Sequence, residues 1–436
     1  MKFPTGFIWG ASTAAYQIEG GNEHSALWDW ERRKGWERSG AAAGSWERWR
    51  DDVACLKRLN LKAYRFSVEW SRIEPRPGEF DERALARYRE MVRALKDEGI
   101  RPIVCLHHFS EPAWLFAQVP DGWLTPAAAG RGALAPAAEL FIRFVDKVVT
   151  YMGGEVRDWL TFNEPLVWLL AGYGIGQFPP GRRSLLSLQR TFYGNYGGGG
   201  LVGRVARAHK EAYRIIHREV PEARVSIAQH IGDLEPAGDR KEDRDAVKVW
   251  ERFMHARLLD LLHHDATLDF LGINYYTRIY VAASRLPFVP LGTMPGYAEV
   301  EELLGPRLFR WLGGRRGDRP RTDMGWEIVP EGLERVVKRC WDAYKLPILI
   351  TENGLASTTA HGREDYLKSH LAALGRALAS GVDVEGYLHW SLIDNYEWGS
   401  YRPKFGLFSV DRDNGLARTP ASGAEYYAEV ARTNRL

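Results

Sequence analysis

Short β-type runs alternate with amphipathic helical segments along the whole chain, and this alternation constrains the fold more than any other feature. Candidate strands lie at residues 7–12, 63–70, 100–106, 156–162, 224–229, 268–276, 347–351 and 384–391. The segments between them carry apolar residues at helical spacing, as in Leu85, Tyr88, Val92 and Leu95. Strands that alternate with helices form parallel sheets from βαβ units. Eight such strands predict an α/β fold, a single (β/α)8 TIM barrel over residues 1–436 with elaborated βα loops.

A doubly wound open sheet is the alternative architecture. It needs a glycine-rich dinucleotide-binding turn after its first strand. Residues 172–176 (GYGIG) have a different spacing and follow no candidate strand, so we interpret them as a loop. The longest connection, residues 278–325, is rich in Pro, Gly and Arg and shows no clear periodicity. Its length predicts an irregular loop that shapes the barrel entrance.

Charge and cysteine usage exclude several functional classes. The chain has 59 basic and 56 acidic residues and a net charge of +3, which is too balanced for nucleic-acid or anionic-membrane binding. Its three cysteines are far apart and lack CxxC spacing, so we expect no disulfide framework, no metal and no cofactor. Without an apolar signal core or a run long enough to span a membrane, the sequence predicts a cytoplasmic location. It predicts no oligomeric state.

Two candidate strands end in a glutamate. Glu164 follows the fourth strand in the run TFNEP, and Glu352 ends the seventh in the run ITENG. A barrel presents its reactive side chains at the carboxyl ends of its strands. One such glutamate alone would be explained by an ion pair or a helix cap. Two on non-adjacent strands can face each other across the barrel mouth, which favours paired-carboxylate chemistry.

Other polar residues lie near the same strand ends. Arg65, on the second strand, needs an anionic partner if it is buried, and a neighbouring glutamate would be kept ionised by it. His108 follows the third strand; such a histidine is more often a satisfied polar residue than a catalyst. The run from His389 to Trp398 interleaves acidic residues with tryptophans. Carboxylates accept hydrogen bonds from sugar hydroxyls and indole faces cover sugar C–H groups, so this run suits a carbohydrate.

Three motifs in this order resemble those of glycoside hydrolase family 1, the β-glucosidase and β-galactosidase family, and the resemblance covers essentially the whole chain. They are the opening run FIWGASTAAYQIEG at residues 7–20, TFNEP at residues 161–165 and ITENG at residues 350–354. Phe109 stands where the family often has tryptophan, and residues 278–325 match no motif. These departures affect the aglycone preference rather than the reaction.

The resemblance implies a role for each matching residue. Glu164 would be the acid/base and Glu352 the nucleophile. Catalytic support would come from Arg65, Asn163, Asn274 and Tyr276. The glycone would be held by Gln17, His108, Asn163, Glu397 and Trp398, with Trp390 as the platform beneath it. The pocket and the aglycone side would be lined by Trp123, Trp326 and Phe405.

The implied reaction is retaining hydrolysis of terminal β-linked sugars by double displacement, which needs carboxyl groups roughly 5–5.5 Å apart. An ionised Glu352 would also raise the pKa of Glu164. The expected partner is a small carbohydrate, most simply a β-glucoside, with β-galactosides and β-fucosides tolerated. The alternatives are a transglycosylase, a 6-phospho-β-glycosidase and a non-catalytic sugar-binding relative. Glu397 would repel a phosphate, and both catalytic carboxylates are present, which disfavours the last two.

Overall fold

The computed structural model describes residues 1–127, 133–184, 187–194, 200–286, 290–358 and 362–436. Eight parallel strands from these residues form a closed barrel: β1 (Ile8–Ser12), β2 (Ala63–Ser67), β3 (Arg101–Cys105), β4 (Asp158–Asn163), β5 (Arg224–His230), β7 (Leu271–Asn274), β10 (Ile348–Asn353) and β11 (Val384–Trp390). Their order around the barrel is β1-β11-β10-β7-β5-β4-β3-β2. The predicted (β/α)8 barrel is therefore confirmed, and the open-sheet alternative is wrong.

Helices alternate with the barrel strands. The longer ones are α2 (Ala26–Lys34), α3 (Ser45–Arg58), α5 (Glu82–Asp97), α7 (Pro136–Met152), α10 (Leu201–Glu219), α11 (Lys241–Glu251), α15 (Pro330–Tyr344), α16 (Arg363–Ala379) and α17 (Ala424–Thr433). Shorter ones are α1 (Ala15–Ile18), α4 (Trp70–Ile73), α6 (Ala113–Gln118), α8 (Pro165–Leu169), α9 (Leu188–Tyr193), α12 (Arg257–His264), α13 (Ala298–Leu304) and α14 (Pro306–Trp311). In the described parts of the chain, no helix combines the length and apolar character needed to cross a membrane.

Local sequence signals explain the helix boundaries. Asp81 caps α5, because its carboxylate accepts hydrogen bonds from the amides of Arg83 and Ala84. Proline occupies the first turn of α7 and α15, where its missing N–H is not needed. The apolar faces of these helices pack around the barrel, with Leu85, Tyr88 and Val92 fully buried. The three cysteines are buried free thiols.

The barrel interior is filled by side chains that alternate along the strands. A compact cluster takes one or two residues from most barrel strands: Ala63, Ile103, Cys105, Leu160, Ala228, Phe270, Leu349 and Leu388. Residues two positions further along a regular strand lie on the same inward face, one layer closer to the barrel mouth. By this rule Arg65, two residues after Ala63, and Trp390, two residues after Leu388, both lie at the mouth.

Several strand boundaries differ from prediction, two of them by three or more residues. The second strand ends at Ser67, because Glu69 caps the short helix α4 by accepting from the amide of Ser71. The sixth barrel strand is confined to Leu271–Asn274. Residues 172–176 also depart from the predicted loop, since Leu170–Gly174 forms a turn of π-helix after α8.

The long connection at residues 278–325 is more ordered than its sequence suggested. It contains β8 (Arg278–Ala283), β9 (Thr293–Pro295) and helices α13 and α14. Strand β8 pairs with β9 and with β6 (Asp233–Pro236) in a small separate sheet. Its apolar residues pack in a satellite cluster with Ala282, Met294, Phe309 and Leu312. These elements are too short to give a readable period, which is why the prediction of an irregular loop is wrong. A two-stranded hairpin, β12 (Phe408–Asp411) and β13 (Ala417–Pro420), lies after the last barrel strand.

Candidate active site

Irregular pairing at the strand ends turns Asn163 and Glu352 into the barrel mouth. The register between β4 and β5 shifts between Leu160 and Asn163, and that between β10 and β7 shifts between Ile350 and Glu352. An inserted residue of this kind bends a strand and redirects the side chains that follow it. The shifts place Asn163 and Glu352 in the mouth, although strict alternation would not.

Glu164 lies at the junction between β4 and α8 in a left-handed conformation, with φ of 41°. Pro165 follows at the first helical position and disfavours the right-handed helical region for the residue before it. A non-glycine residue held at positive φ costs about 1–2 kcal/mol, and such strain concentrates at functional sites. Phe109 and Trp398, in the same mouth, also have positive φ.

Arg65 is the cation at the centre of the mouth, and its side chain is fully buried. Its Nη1 donates to Oε1 of Glu352, and its Nη2 donates to Oδ1 of Asn163 at 2.6 Å. The hydroxyl of Tyr276 donates to the other Glu352 oxygen at 2.7 Å. Burial raises the pKa of Tyr276 well above its ordinary value, so this hydroxyl keeps its proton. Both oxygens of Glu352 are therefore held by donors.

Asn274 links Glu164 to the same network. Its Nδ2 donates to Oε1 of Glu164 at 2.8 Å and to Oδ1 of Asn163 at 3.0 Å. Its own Oδ1 accepts from the hydroxyl of Thr351 at 2.6 Å, which fixes the orientation of the amide. The two glutamates are thus tied to one hydrogen-bonded frame, but Glu352 has an ionic partner and Glu164 a neutral one.

Burial is the largest cause of the pKa shifts of the two glutamates. Burial raises the pKa of Glu164 to about 7, opposed by Asn274 and Arg65. Burial also raises the pKa of Glu352 to about 7, although Arg65 and Tyr276 oppose it. Arg65 lowers the pKa of Glu352, as predicted, but the loss of solvent is the larger effect, so the net shift is upward. The pKa of Glu164 is raised, as predicted, but by burial; the repulsion between the two carboxylates raises the pKa of Glu352 instead.

A third carboxylate, Glu397, faces the pair. Its Oε2 accepts from Nε2 of Gln17 at 3.0 Å. Burial and the charge of Glu352 raise its pKa to about 8. Nε2 of Gln17 also donates to Asn395 and to the carbonyl of Tyr396, whereas its Oε1 is buried without a partner among the described residues. That oxygen can accept a hydrogen bond from a ligand hydroxyl.

His108 supplies a donor on the same side. Burial lowers its pKa well below the ordinary value, so the ring is neutral. Nδ2 of Asn163 donates to its Nε2 at 3.0 Å, which leaves the proton on Nδ1. Within the described part of the chain, Nδ1 is buried without a partner. The ring stacks near Trp390 and Trp398, with centroids 5.8 and 6.0 Å away.

A cluster of aromatic rings forms another part of the wall of the mouth. Trp390 lies in one cluster with Tyr276, Phe405 and Trp326. The ring of Trp326 is 5.2 Å from that of Tyr276 and 6.3 Å from that of Phe405. A Cβ added at Gly354, just after Glu352, would come within 1.8 Å of the carbonyl oxygen of Trp390. The ITENG run therefore needs glycine at position 354, so that β11, which carries Trp390, can approach β10, which carries Glu352.

Trp123 is the one predicted site residue that does not join this group. Its Nε1 donates to Glu111 at 2.7 Å, and its ring packs against Phe141, Phe162 and Trp168. These neighbours belong to the layer between the barrel and its helices. The prediction that Trp123 lines the pocket is wrong, because its contacts place it behind the wall.

His230 is a residue of the mouth that sequence reasoning missed. It ends β5, two residues after the inward-facing Ala228, and its Nδ1 lies 3.8 Å from Oε1 of Glu164. The signal was present, since alternation along β5 points His230 and Ala228 to the same face. The predicted strand stopped one residue short, at Gln229.

Taken together, the fold and the site define a class. Two buried glutamates lie at the carboxyl end of a (β/α)8 barrel, beside amide groups, a neutral histidine and indole faces. This chemistry protonates or attacks an acetal and holds sugar hydroxyls, so the molecule is a glycoside hydrolase.

Comparisons with known proteins identify the family. The sequence profile described as glycosyl hydrolase family 1 matches residues 1–264 and 256–436, and the chain belongs to this family. It is 30% identical to β-glucosidase A of Thermotoga maritima over 465 residues, covering 100% of this chain and 99% of that protein. It is 29% identical to a β-galactosidase of Sulfolobus acidocaldarius, covering 100% and 96%. Among solved structures, a β-glycosidase from Pyrococcus horikoshii superposes with a TM-score of 0.83 at 30% identity, covering 100% and 96%.

Proposed function

We propose that the protein is a retaining β-glycosidase, with Glu352 as the nucleophile and Glu164 as the acid/base. The observation that carries this assignment is the unequal holding of the two carboxyl groups. Arg65 and Tyr276 donate to both oxygens of Glu352, whereas the donor to Oε1 of Glu164 is the neutral amide of Asn274, with Nδ1 of His230 at an ion-pair distance of 3.8 Å. Because Arg65 stabilises the charged form of Glu352, Glu352 binds a proton less readily than Glu164 does. When the two glutamates share a single proton, that proton therefore resides on Glu164.

The reaction then proceeds in two displacements. An oxygen of Glu352 bonds to the anomeric carbon while Glu164 gives its proton to the departing glycosidic oxygen. The negative charge of Glu352 is consumed in the ester, and the pKa of Glu164 falls because a neighbouring charge is lost. Glu164 next takes a proton from water, the water oxygen bonds to the anomeric carbon, and the ester bond returns its electron pair to Glu352.

The glycone occupies the polar side of the mouth. Oε1 of Gln17 and Nδ1 of His108 are oriented acceptor and donor atoms for its hydroxyls. Asn163 and Glu397 add an amide and a carboxylate, and Trp390 and Trp398 cover the C–H groups of the ring. The aglycone lies on the side of Trp326 and Phe405.

The preferred substrate is an unphosphorylated β-glucoside, with β-galactosides and β-fucosides as secondary substrates. Glu397 supports this choice, because its partly buried carboxylate lies near Glu352 and Glu164 in a site whose central cation, Arg65, is already engaged by Glu352. A transglycosylating enzyme would use the same residues and differ in how it excludes water from the ester.

A substrate panel tests this specificity. We expect kcat/KM for an aryl β-glucoside to exceed that for its 6-phosphate at least about a hundredfold, since a phosphate adds about two negative charges near three carboxylates. The measurement is initial rates on the glucoside, galactoside, fucoside and glucoside 6-phosphate with one common leaving group. A preference for the phosphorylated sugar would overturn the proposal.

Tyr276→Phe tests which glutamate must be ionised. The hydroxyl stabilises charged Glu352, and a hydrogen bond to a charged group contributes about 1.5–3 kcal/mol, so its loss should raise the pKa of Glu352 by about one unit or more. An ionised nucleophile is lost as pH falls through this pKa. The wild-type rate should therefore decline on both sides of a maximum near neutral pH, and the acid limb of the variant should move to higher pH. The pH profile of kcat/KM measures this; a shifted alkaline limb with a fixed acid limb would contradict the assignment.

We also propose that the whole chain acts as one catalytic domain in the cytoplasm, on small carbohydrates. The free, buried state of all three cysteines supports a reducing compartment. Activity in the cytosolic fraction of the source cells, and its absence from the culture medium, is the expected result.

A further inference from the structure

His230 lies where it can act on the acid/base group during the second displacement. Its ring reaches the mouth from the end of β5, and both its side chain and that of Glu164 are about nine-tenths buried, at 12% and 11% exposed. Behind it lies His255, whose ring centroid is 6.5 Å away and whose Nε2 accepts from the amide of Gly232. His230 therefore packs near His255 and also lies beside Glu164.

Two groups approach the same oxygen of Glu164. Nδ2 of Asn274 donates to Oε1 at 2.8 Å, and Nδ1 of His230 lies 3.8 Å from the same Oε1. In the two displacements, Oε2 is the oxygen that exchanges the proton with the substrate oxygen and with water. A donor placed at Oε1 orients the carboxyl group and favours its charged form, which the base step requires.

We propose that His230 is a positioning residue for the base step, in which its Nδ1–H supports Oε1 of Glu164 while Oε2 accepts the proton of the attacking water. This inference rests on the proposed function. During that step the water oxygen bonds to the anomeric carbon, the proton moves to Oε2, and the ester bond breaks toward Glu352. His230 keeps its proton throughout.

Kinetics with 2,4-dinitrophenyl β-glucoside separate this role from a general structural one. The leaving group departs without protonation, so kcat/KM reports ester formation and needs no acid, whereas kcat reports ester hydrolysis and needs the base. His230→Phe keeps a ring but removes the donor, and we expect kcat to fall about tenfold, the lower range for a hydrogen bond to a charged group, with kcat/KM changed less than about twofold. His230→Asn places an amide nitrogen near the position of Nδ1 and should retain most of kcat.

Azide provides a second readout on the same variants. It attacks the ester without giving up a proton, so it needs no base, and it should restore the kcat of His230→Phe with formation of the β-glucosyl azide. His255→Asn, which alters the packing behind His230 without touching Glu164, is the matched control and should retain the wild-type kcat. An equal loss of kcat and kcat/KM, a failure of azide to restore kcat, or the same loss in His255→Asn would each overturn the role of His230. If the wild-type enzyme does not cleave the glucoside at all, the proposed function itself fails.

Discussion

Replacing Glu352 with alanine is expected to reduce turnover of an aryl β-glucoside by on the order of 10⁵-fold, because removing a catalytic nucleophile removes the covalent route. The substitution also leaves Arg65 and Tyr276 facing an open space where the carboxylate had been. A small anion can enter that space and attack the anomeric carbon directly. Azide should therefore restore a measurable rate and give the α-glucosyl azide, since a single displacement inverts the configuration.

The control for this experiment is a glutamate of the same mouth that is not assigned to attack. Glu397→Ala should raise KM and lower kcat. Azide should not accelerate this variant, because Glu352, the residue that forms the ester, is intact. Product configuration by NMR and the azide dependence of the rate are the measurements. Wild-type activity in Glu352→Ala, or a β-glucosyl azide from it, would contradict the assignment of the nucleophile.

Glu164→Ala is expected to discriminate between leaving groups. Protonation by a general acid contributes about 10²- to 10⁴-fold, and substrates with poor leaving groups depend on it most. We expect kcat/KM to fall by this factor for cellobiose or a methyl β-glucoside and much less for a dinitrophenyl β-glucoside. The alkaline limb of the pH profile should also disappear, since that limb reports the loss of the acid proton. Equal losses on both substrates would argue against the acid role.

A matched variant at Asn274 distinguishes the effect of losing the acid, Glu164, from the effect of losing its hydrogen-bond donor. Asn274→Ala removes the amide from Oε1 of Glu164 but leaves the carboxyl group in place. We expect it to retain the alkaline limb and to show a weaker dependence on the leaving group than Glu164→Ala. A leaving-group dependence equal to that of Glu164→Ala would mean that Asn274 is itself required for proton transfer.

Much of the barrel could be predicted from sequence because its signals are local. Amphipathic spacing, the Asp81 cap and the β-type runs each depend on a few neighbouring residues. The small sheet of β6, β8 and β9 was missed, because its elements become stable only by packing on one another. The predicted fifth strand ends at Gln229, one residue before His230, so His230 was not included in the predicted site.

The candidate site shows a similar division. Motifs and strand ends identified both glutamates, and the structure brings Arg65, Asn274 and Tyr276 to them. The register shifts that aim Asn163 and Glu352 inward are tertiary features that alternation cannot predict. The resemblance placed Trp123 in the pocket, but the side of the wall on which it packs depends on its tertiary contacts with Phe141, Phe162 and Trp168. The raised pKa of Glu352 depends on burial by the whole mouth, which the pairing with Arg65 alone does not reveal.

The configuration of the first product is the most direct test of the central claim. Retention requires both a nucleophile and an acid/base, with carboxyl groups roughly 5–5.5 Å apart, whereas a pair acting by inversion is wider at about 6.5–9.5 Å. The wild-type enzyme should be mixed with an aryl β-glucoside and followed by proton NMR before mutarotation equilibrates the anomers. β-Glucose should appear first, with α-glucose growing only later. Initial release of α-glucose would contradict the double displacement and the roles of both glutamates.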